Sequence, residues 1–178
     1  MDVALKEWAS LVEAIEQGRQ VALLRKGGIV EAARSGFTLR HREFLFYPTY
    51  EHQHAAMIRP EWQGLVKAPE PGVIRVSLLA KVDEAFPAPA DRGALLEAGE
   101  AFVWNEAFVN LRYDYRPDLP LWLIVIRAYR IAEVVLPERG SYAGCKSWVN
   151  LTEDVAIDGA VPVLSDTEYD FRKSVLPR

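Results

Sequence analysis

The residues best suited to chemistry are concentrated in one stretch, HREFLFYPTYEHQH, at positions 41–54, which holds all three histidines of the chain. If this stretch begins as a strand, His41 and Glu43 share one face, because side chains alternate across a strand. A carboxylate beside an imidazole raises its pKa and orients the ring, which suits a general base or a phosphate-binding imidazolium. We therefore predict catalytic roles for His41 and Glu43, with His52 as a third participant.

The second half of the stretch predicts a site for a polar or anionic ligand. Pro48 should end strand pairing, and Thr49 is a typical N-cap for a short helix reaching about Ile58. A helix N-terminus presents unpaired N–H groups and a partial positive charge, which favour anions. The ligand-binding residues expected at this turn are Tyr47, Thr49 and Gln53.

Basic residues near this stretch supply candidate phosphate ligands. Lys26 precedes Gly27-Gly28, whose backbone amides could cradle a phosphate, although the flanking strands favour a plain hairpin turn. Arg42 is a second candidate clamp, on the strand face opposite His41. Lys26 is the better placed of the two.

The segment GCKSW, residues 144–148, is the other unusual motif. On a strand, Lys146 and Trp148 face the same side, which is one way to hold a base against a phosphate. The alternative is a packed tryptophan with Lys146 reaching past it to solvent. We interpret Cys145 as a small buried hydrophobic residue.

Two further alternatives remain open for the histidine-rich stretch. The His41–Glu43 pair could be purely structural. A metal site built from His41, His52 and a carboxylate is also conceivable, but no spacing matches a zinc-binding pattern. We predict neither a metal nor a cofactor.

Composition restricts the class of protein. The chain has 178 residues, is half hydrophobic and one quarter charged, and should form one domain over 1–178. The formal net charge is −4, yet residues 19–42 hold six basic residues and one acidic residue. One cysteine, no leader-like N-terminus and no long apolar run favour a cytoplasmic protein without a membrane partner. Oligomeric state cannot be inferred.

The hydrophobic periodicity predicts an α+β fold with an N-terminal helix. Leu5, Trp8, Val12 and Ile15 recur at helical spacing before Gly18. Residues 21–26, 29–33 and 37–47 should form a three-stranded meander, and strands are expected over 73–82, 121–135 and 145–151. Helices are expected over 92–104 and 106–114, with Asn105 as the cap between them, and a C-terminal helix should follow the Ser165/Glu168 capping box. These elements suit a mixed sheet or a small, partly closed barrel with flanking helices.

Three segments together resemble a known bacterial family. The motifs ALKEWASLVEAIEQGRQVALLRKGGI, HREFLFYPTYEHQ and YAGCKSWVNL are similar to the family called domain of unknown function 1802. That family has no established reaction, so the resemblance implies no catalytic residues. Some members are associated with restriction-endonuclease-like domains, which implies a link to nucleic acid. The C-terminal half is also faintly similar to PUA-like barrels, by analogy only.

Two functional hypotheses follow. The first is a nucleic-acid- or nucleotide-binding module linked to restriction-modification or nucleic-acid processing. The alternative is a small hydrolytic or phosphoryl-transfer enzyme that uses His41, Glu43 and His52. In either case, we expect the 41–53 and 144–148 segments to meet at one site, because two separate sites would each place costly polar groups in apolar strands.

Overall fold

The computed structural model describes residues 1–26 and 39–178 as a curled mixed sheet with flanking helices. The strands are β1 (Val3–Trp8), β2 (Ala22–Arg25), β3 (Glu43–Thr49), β4 (Val73–Pro87), β5 (Trp122–Pro137), β6 (Trp148–Asn150) and β7 (Val161–Pro162). The α-helices are α1 (Ala9–Glu16), α2 (Arg92–Glu97), α3 (Glu106–Asp114) and α4 (Asp166–Ser174). The predicted α+β class is therefore confirmed.

The sheet runs in the order β2-β5-β4-β3-β1-β6, and β7 pairs with β5. β1 and β3 are parallel, whereas the other neighbouring strands are antiparallel. The long β4–β5 pairing shifts register twice, at Val76/Leu78 and at Val82/Glu84. Such irregularities bend strands and increase their twist, which lets the sheet curl into a half-barrel.

One side of the sheet is covered by large apolar side chains at alternating positions. Leu5, Phe44, Phe46, Leu78 and Ile124 belong to one buried cluster, and α1 adds Val12 and Ile15 to it. Intervening residues such as Leu45 and Leu79 pack on the other side, against Tyr142 and Val149. A third cluster holds α2 and α3 against the sheet through Phe102, Trp104 and Phe108.

The strand order and two helix boundaries differ from the sequence prediction. Residues 3–8 form β1 rather than the start of the first helix, which begins at Ala9. β1 is buried on both sides, so it shows no polar alternation that would reveal a strand. β3 has β4 and β1 as neighbours, so it is not the third strand of a meander. The predicted strand over 29–33 and the Gly27-Gly28 turn lie outside the described residues.

Thr49 does not cap a helix. It is the last residue of β3, and the next helical turn is a short 3-10 segment, Ala55–Met57. Parallel pairing with β1, which runs to the Trp8–Thr49 pair, extends the strand through Pro48. The predicted caps Asn105 and Ser165 are confirmed, because each side chain accepts a hydrogen bond from the third helical residue of α3 or α4.

Candidate functional site

A cleft of about 350 Å³ lies where β1, β2 and β3 end and β6 begins. The parallel register sets Trp8 beside Thr49, and the antiparallel register sets Leu5 beside Trp148, so three distant segments meet there. The lining residues are Lys6, Glu7, Trp8, Arg25, Lys26, Thr49, Glu51, His52, Arg112, Tyr115, Gly144, Cys145, Lys146 and Ser147.

Backbone contacts fix the loop before β6 against the end of β1. The Lys6 amide donates a hydrogen bond to the Ser147 carbonyl at 2.8 Å. Gly144 has a φ of 90°, a left-handed conformation that a residue with a Cβ rarely adopts. The loop therefore turns at Gly144, and its next residues, Cys145 and Lys146, line the cleft.

Charge is unevenly distributed in the cleft, whose described lining residues include five cationic side chains and two carboxylates. Glu7 is 3% exposed and has polar partners on both oxygens. Its Oε1 accepts from the Trp8 amide at 2.9 Å, and its Oε2 lies 3.2 Å from an Arg25 guanidinium nitrogen. The same Arg25 nitrogen donates to the Lys6 carbonyl at 3.2 Å. This pair anchors the ends of β1 and β2 to each other.

The three lysines of the cleft donate to backbone carbonyls. Lys6 Nζ lies 3.1 Å from the Gly144 oxygen, Lys26 Nζ lies 2.8 Å from the Tyr113 oxygen, and Lys146 donates to Ser141. A carbonyl does not neutralise an ammonium charge. Burial lowers the pKa of Lys6, and the nearby carboxylate of Glu51 partly offsets that shift. Burial also lowers the pKa of Lys26.

Arg112, on α3, places a second guanidinium in the cleft. Its plane lies over the Phe108 ring, 5.1 Å from the centroid. Its Nε is buried, and within the described chain it has no hydrogen-bond partner. Burial lowers the pKa of Arg112, and Glu7 partly opposes that shift. The arrangement can accept an anion, which would supply hydrogen-bond acceptors and compensating charge.

The model of a domain of unknown function, DUF1802, matches residues 4–175 of this chain. The chain belongs to the DUF1802 family. The family prediction made from the residues is confirmed. No curated protein and no solved structure matches this DUF1802 chain.

The two motif segments of this DUF1802 protein meet, as expected. Thr49, Glu51 and His52 line the same cleft as Gly144–Ser147. At the other end of β3, the His41 ring contacts the Trp148 ring edge to face, with 5.0 Å between centroids. Among the predicted site residues, the cleft brings together Lys26, Thr49, His52 and Lys146.

The other predicted residues of the DUF1802 chain lie elsewhere. Glu43, at the start of β3, pairs with Lys81 at 2.9 Å, and neither it nor His41 lines the cleft. Arg42 is exposed just before β3. Gln53 bonds backbone groups of Ser10 and Lys67.

Two of the predicted aromatic ligands are packed within the fold. Burial raises the pKa of Tyr47 to about 12, and its ring packs on Tyr142. Trp148 packs on Phe44, with 5.2 Å between ring centroids. Neither ring lines the cleft.

The sequence prediction missed several cleft residues, namely Lys6, Glu7, Arg25, Arg112 and Tyr115. Lys6 and Glu7 were assigned to a helix, and Arg112 lies on an element with no motif of its own. The interpretation of Cys145 as buried is wrong, because its thiol is exposed and lines the cleft. The glycine two positions before Lys146 was the available signal for a loop rather than a strand.

The described parts of the DUF1802 fold contain no group of three or more histidine, cysteine or acidic residues arranged to hold a metal. Over the same residues, no helix combines the length and apolar character needed to cross a bilayer.

Proposed function

We propose that this protein is a nucleotide- or nucleic-acid-binding module whose phosphate site is the cleft at the ends of β1, β2 and β3. The observation that carries the proposal is that five cationic side chains and two carboxylates are found among the described residues lining one cleft. Phosphate oxygens are strong acceptors for lysine and arginine donors. The net charge of the whole chain is negative, so no general positive field attracts polyanions to its surface. The local excess of positive charge in the cleft therefore favours anion binding at the cleft itself.

An aromatic ring at the cleft supports a nucleotide rather than a bare anion. Tyr115 follows α3, is 36% exposed and lines the cleft. An exposed aromatic face beside cations can stack on a base of any identity. The family association with restriction-endonuclease-like domains agrees with such a ligand, and a bacterial cytoplasm is the proposed setting, where the exposed Cys145 stays reduced.

The hydrolytic alternative has less support. Of its three predicted residues, His52 lines the cleft, whereas Glu43 pairs with Lys81 and His41 packs on Trp148. A general base and its orienting carboxylate need to reach the same substrate.

Binding measurements at several salt concentrations test the proposal. We expect mononucleotides or short oligonucleotides to bind at low salt, and affinity to fall as salt rises because bound counterions are released. Lys146→Ala should weaken binding about tenfold, since a charge-assisted hydrogen bond is lost. Lys81→Ala is the matched control, because Lys81 is paired with Glu43 outside the cleft. Absence of binding to every nucleotide and oligonucleotide at about 10⁻⁴ M, where even non-specific contacts register, would refute the proposal.

A further inference from the structure

Resting on the proposed function, we infer that the cleft recognises the terminal phosphate monoester of a nucleotide rather than the internal phosphodiesters of a strand. The shared chemistry is a phosphate with one esterified oxygen, found on a free mononucleotide and on a phosphorylated strand end.

The distribution of cations over the surface carries this inference. Outside the cleft, nine lysines and arginines of the described residues, 1–26 and 39–178, form ion pairs with carboxylates: Arg59, Lys67, Arg75, Lys81, Arg92, Arg127, Arg139, Lys173 and Arg178. A protein that binds along a strand needs a groove of cations that follows successive phosphates. Here the described lining of a single cleft holds five cationic side chains and two carboxylates, and such a local excess of positive charge suits one phosphate group.

The size of the cleft agrees with a single nucleotide. About 350 Å³ lies at the lower end of the usual range for small-molecule pockets. The ring of Tyr115, 36% exposed, is available to stack on a base. The described lining comes from β1, β2, β3, α3 and the loop before β6, so several segments can contact one ligand.

Charge distinguishes a monoester from a diester. A phosphate monoester carries about −1.5 to −2 charges near neutral pH and three acceptor oxygens, whereas a diester carries one charge. The cleft has three more cations than carboxylates. Burial of Lys6, Lys26 and Arg112 already disfavours their charged forms. A bound dianion therefore stabilises the charged forms of these side chains more than a bound monoanion does.

Donor geometry gives the same result. Each ammonium has three N–H groups, and Lys6, Lys26 and Lys146 each donate to one backbone carbonyl of the described chain. Arg112 adds a guanidinium group to the same lining. These donors can satisfy the three terminal oxygens of a monoester. A diester has only two non-bridging oxygens to offer.

The test compares ligands that differ only at the strand end. One short single-stranded DNA is prepared with a 5′-phosphate, with a 3′-phosphate, with hydroxyls at both ends, and as a closed circle. A nucleoside and its 5′-monophosphate form the second comparison. Calorimetric titration of the full chain should give at least tenfold tighter binding for a phosphorylated end than for the hydroxyl or circular forms.

Variants assign the preference to the cleft. Arg112→Gln and Lys146→Ala should each reduce the ratio between phosphorylated and unphosphorylated ligands to near one. The matched controls Arg75→Gln and Lys81→Ala, both at ion-paired surface positions, should keep it. Thermal unfolding verifies that each variant is folded, and Lys146→Ala, at an exposed loop, remains decisive if Arg112→Gln does not fold.

Different results would contradict the monoester preference and the binding of nucleotides or nucleic acid. If the circular strand binds as tightly as the phosphorylated one, the cleft reads internal phosphates, and the monoester inference is wrong while nucleic-acid binding stands. If none of the ligands binds, the proposed function and the inference both fail.

Discussion

The cleft and the seam between α4 and the β4–β5 pair use the same types of charged residue in opposite ways. In the seam, Lys173 lies 2.6 Å from both Asp83 and Glu84, and Arg178 lies 2.9 Å from Glu84. In the cleft, Lys6 donates to a backbone carbonyl instead of a carboxylate.

The pKa directions follow from that difference. Hydrogen bonds to Asp83 and Glu84 raise the pKa of Lys173, whereas burial lowers the pKa of Lys6. A cation with a carboxylate partner holds elements together. A buried cation without one remains available to an anion that arrives from solution.

The largest expected effect is that of Glu7→Gln, which should change the free energy of unfolding and the affinity for phosphate in opposite directions. Glu7→Gln removes the carboxylate that faces the largely buried Arg25, and breaking such a pair should cost about 3 kcal/mol of the free energy of unfolding. The same change makes the cleft more positive, so phosphate affinity should rise. Urea unfolding and calorimetry measure the two quantities. Glu133→Gln, which breaks an exposed pair with Arg75, should change neither, and equal destabilisation by both variants would contradict the comparison.

Tyr115→Ala tests the second expected effect, on affinity. Loss of one base–aromatic stack typically costs about 1–3 kcal/mol, so nucleotide binding should weaken roughly tenfold or more. Inorganic phosphate should bind as before, because it has no base. Phe171→Ala, at a 65% exposed aromatic on α4, is the control and should leave both ligands unaffected. Equal weakening of nucleotide and inorganic phosphate would place Tyr115 outside the base contact.

Ser165→Ala should produce a smaller effect, confined to the seam. Ser165 caps α4 in a capping box with Glu168, and loss of such a cap costs about 1 kcal/mol. The midpoint of urea unfolding should fall, while affinity for phosphate stays unchanged. A loss of affinity in this variant would show that the seam and the cleft are coupled.

The smallest expected effect is the opposite response of the two lysines to alkaline pH. Folding lowers the pKa of Lys6 from its ordinary value of 10.5. At pH values between the folded pKa and 10.5, the unfolded chain therefore binds more protons than the folded chain does. Over that range, the contribution of Lys6 to the free energy of unfolding rises with pH. The pKa of Lys173 is raised, so its contribution is complete below 10.5 and is lost as pH rises through the folded value.

Comparison with two variants isolates these contributions. The difference in unfolding free energy between the wild type and Lys6→Met should grow in favour of the wild type as pH increases toward 10.5. The difference from Lys173→Met should stay constant over that range and shrink above it. Parallel profiles for the two lysines would contradict the assignment. The groups that act electrostatically on Lys6 are Glu51, Lys146, Cys145 and Glu138.

Much of the fold could be predicted where one residue pattern determines one element. β4 and β5 are revealed by alternation and apolar runs, and α3 and α4 by the side-chain caps Asn105 and Ser165. β1 could not be recognised, because both of its sides are buried and its apolar spacing continues into α1. There, tertiary packing overrides the local pattern.

The candidate site was predictable only in part. The histidine-rich stretch and the GCKSW segment carry visible polar motifs, and they do meet. Strand order determines which strand ends lie next to each other. The parallel β1–β3 pairing places Thr49 and His52 in the cleft, but His41 and Glu43 away from it. Arg112 and Tyr115 approach from α3 through packing that no local motif encodes.

The position of β1 between β3 and β6 also determines when the sheet can be completed during synthesis on the ribosome. β1 is synthesised before its partners, residues 43–49 and 148–150, so one of its edges stays unpaired until residue 150 has emerged. Contacts between such distant residues are slow to form. A nascent chain stalled before residue 148 would expose the backbone of β1 as a site for aggregation or chaperone binding.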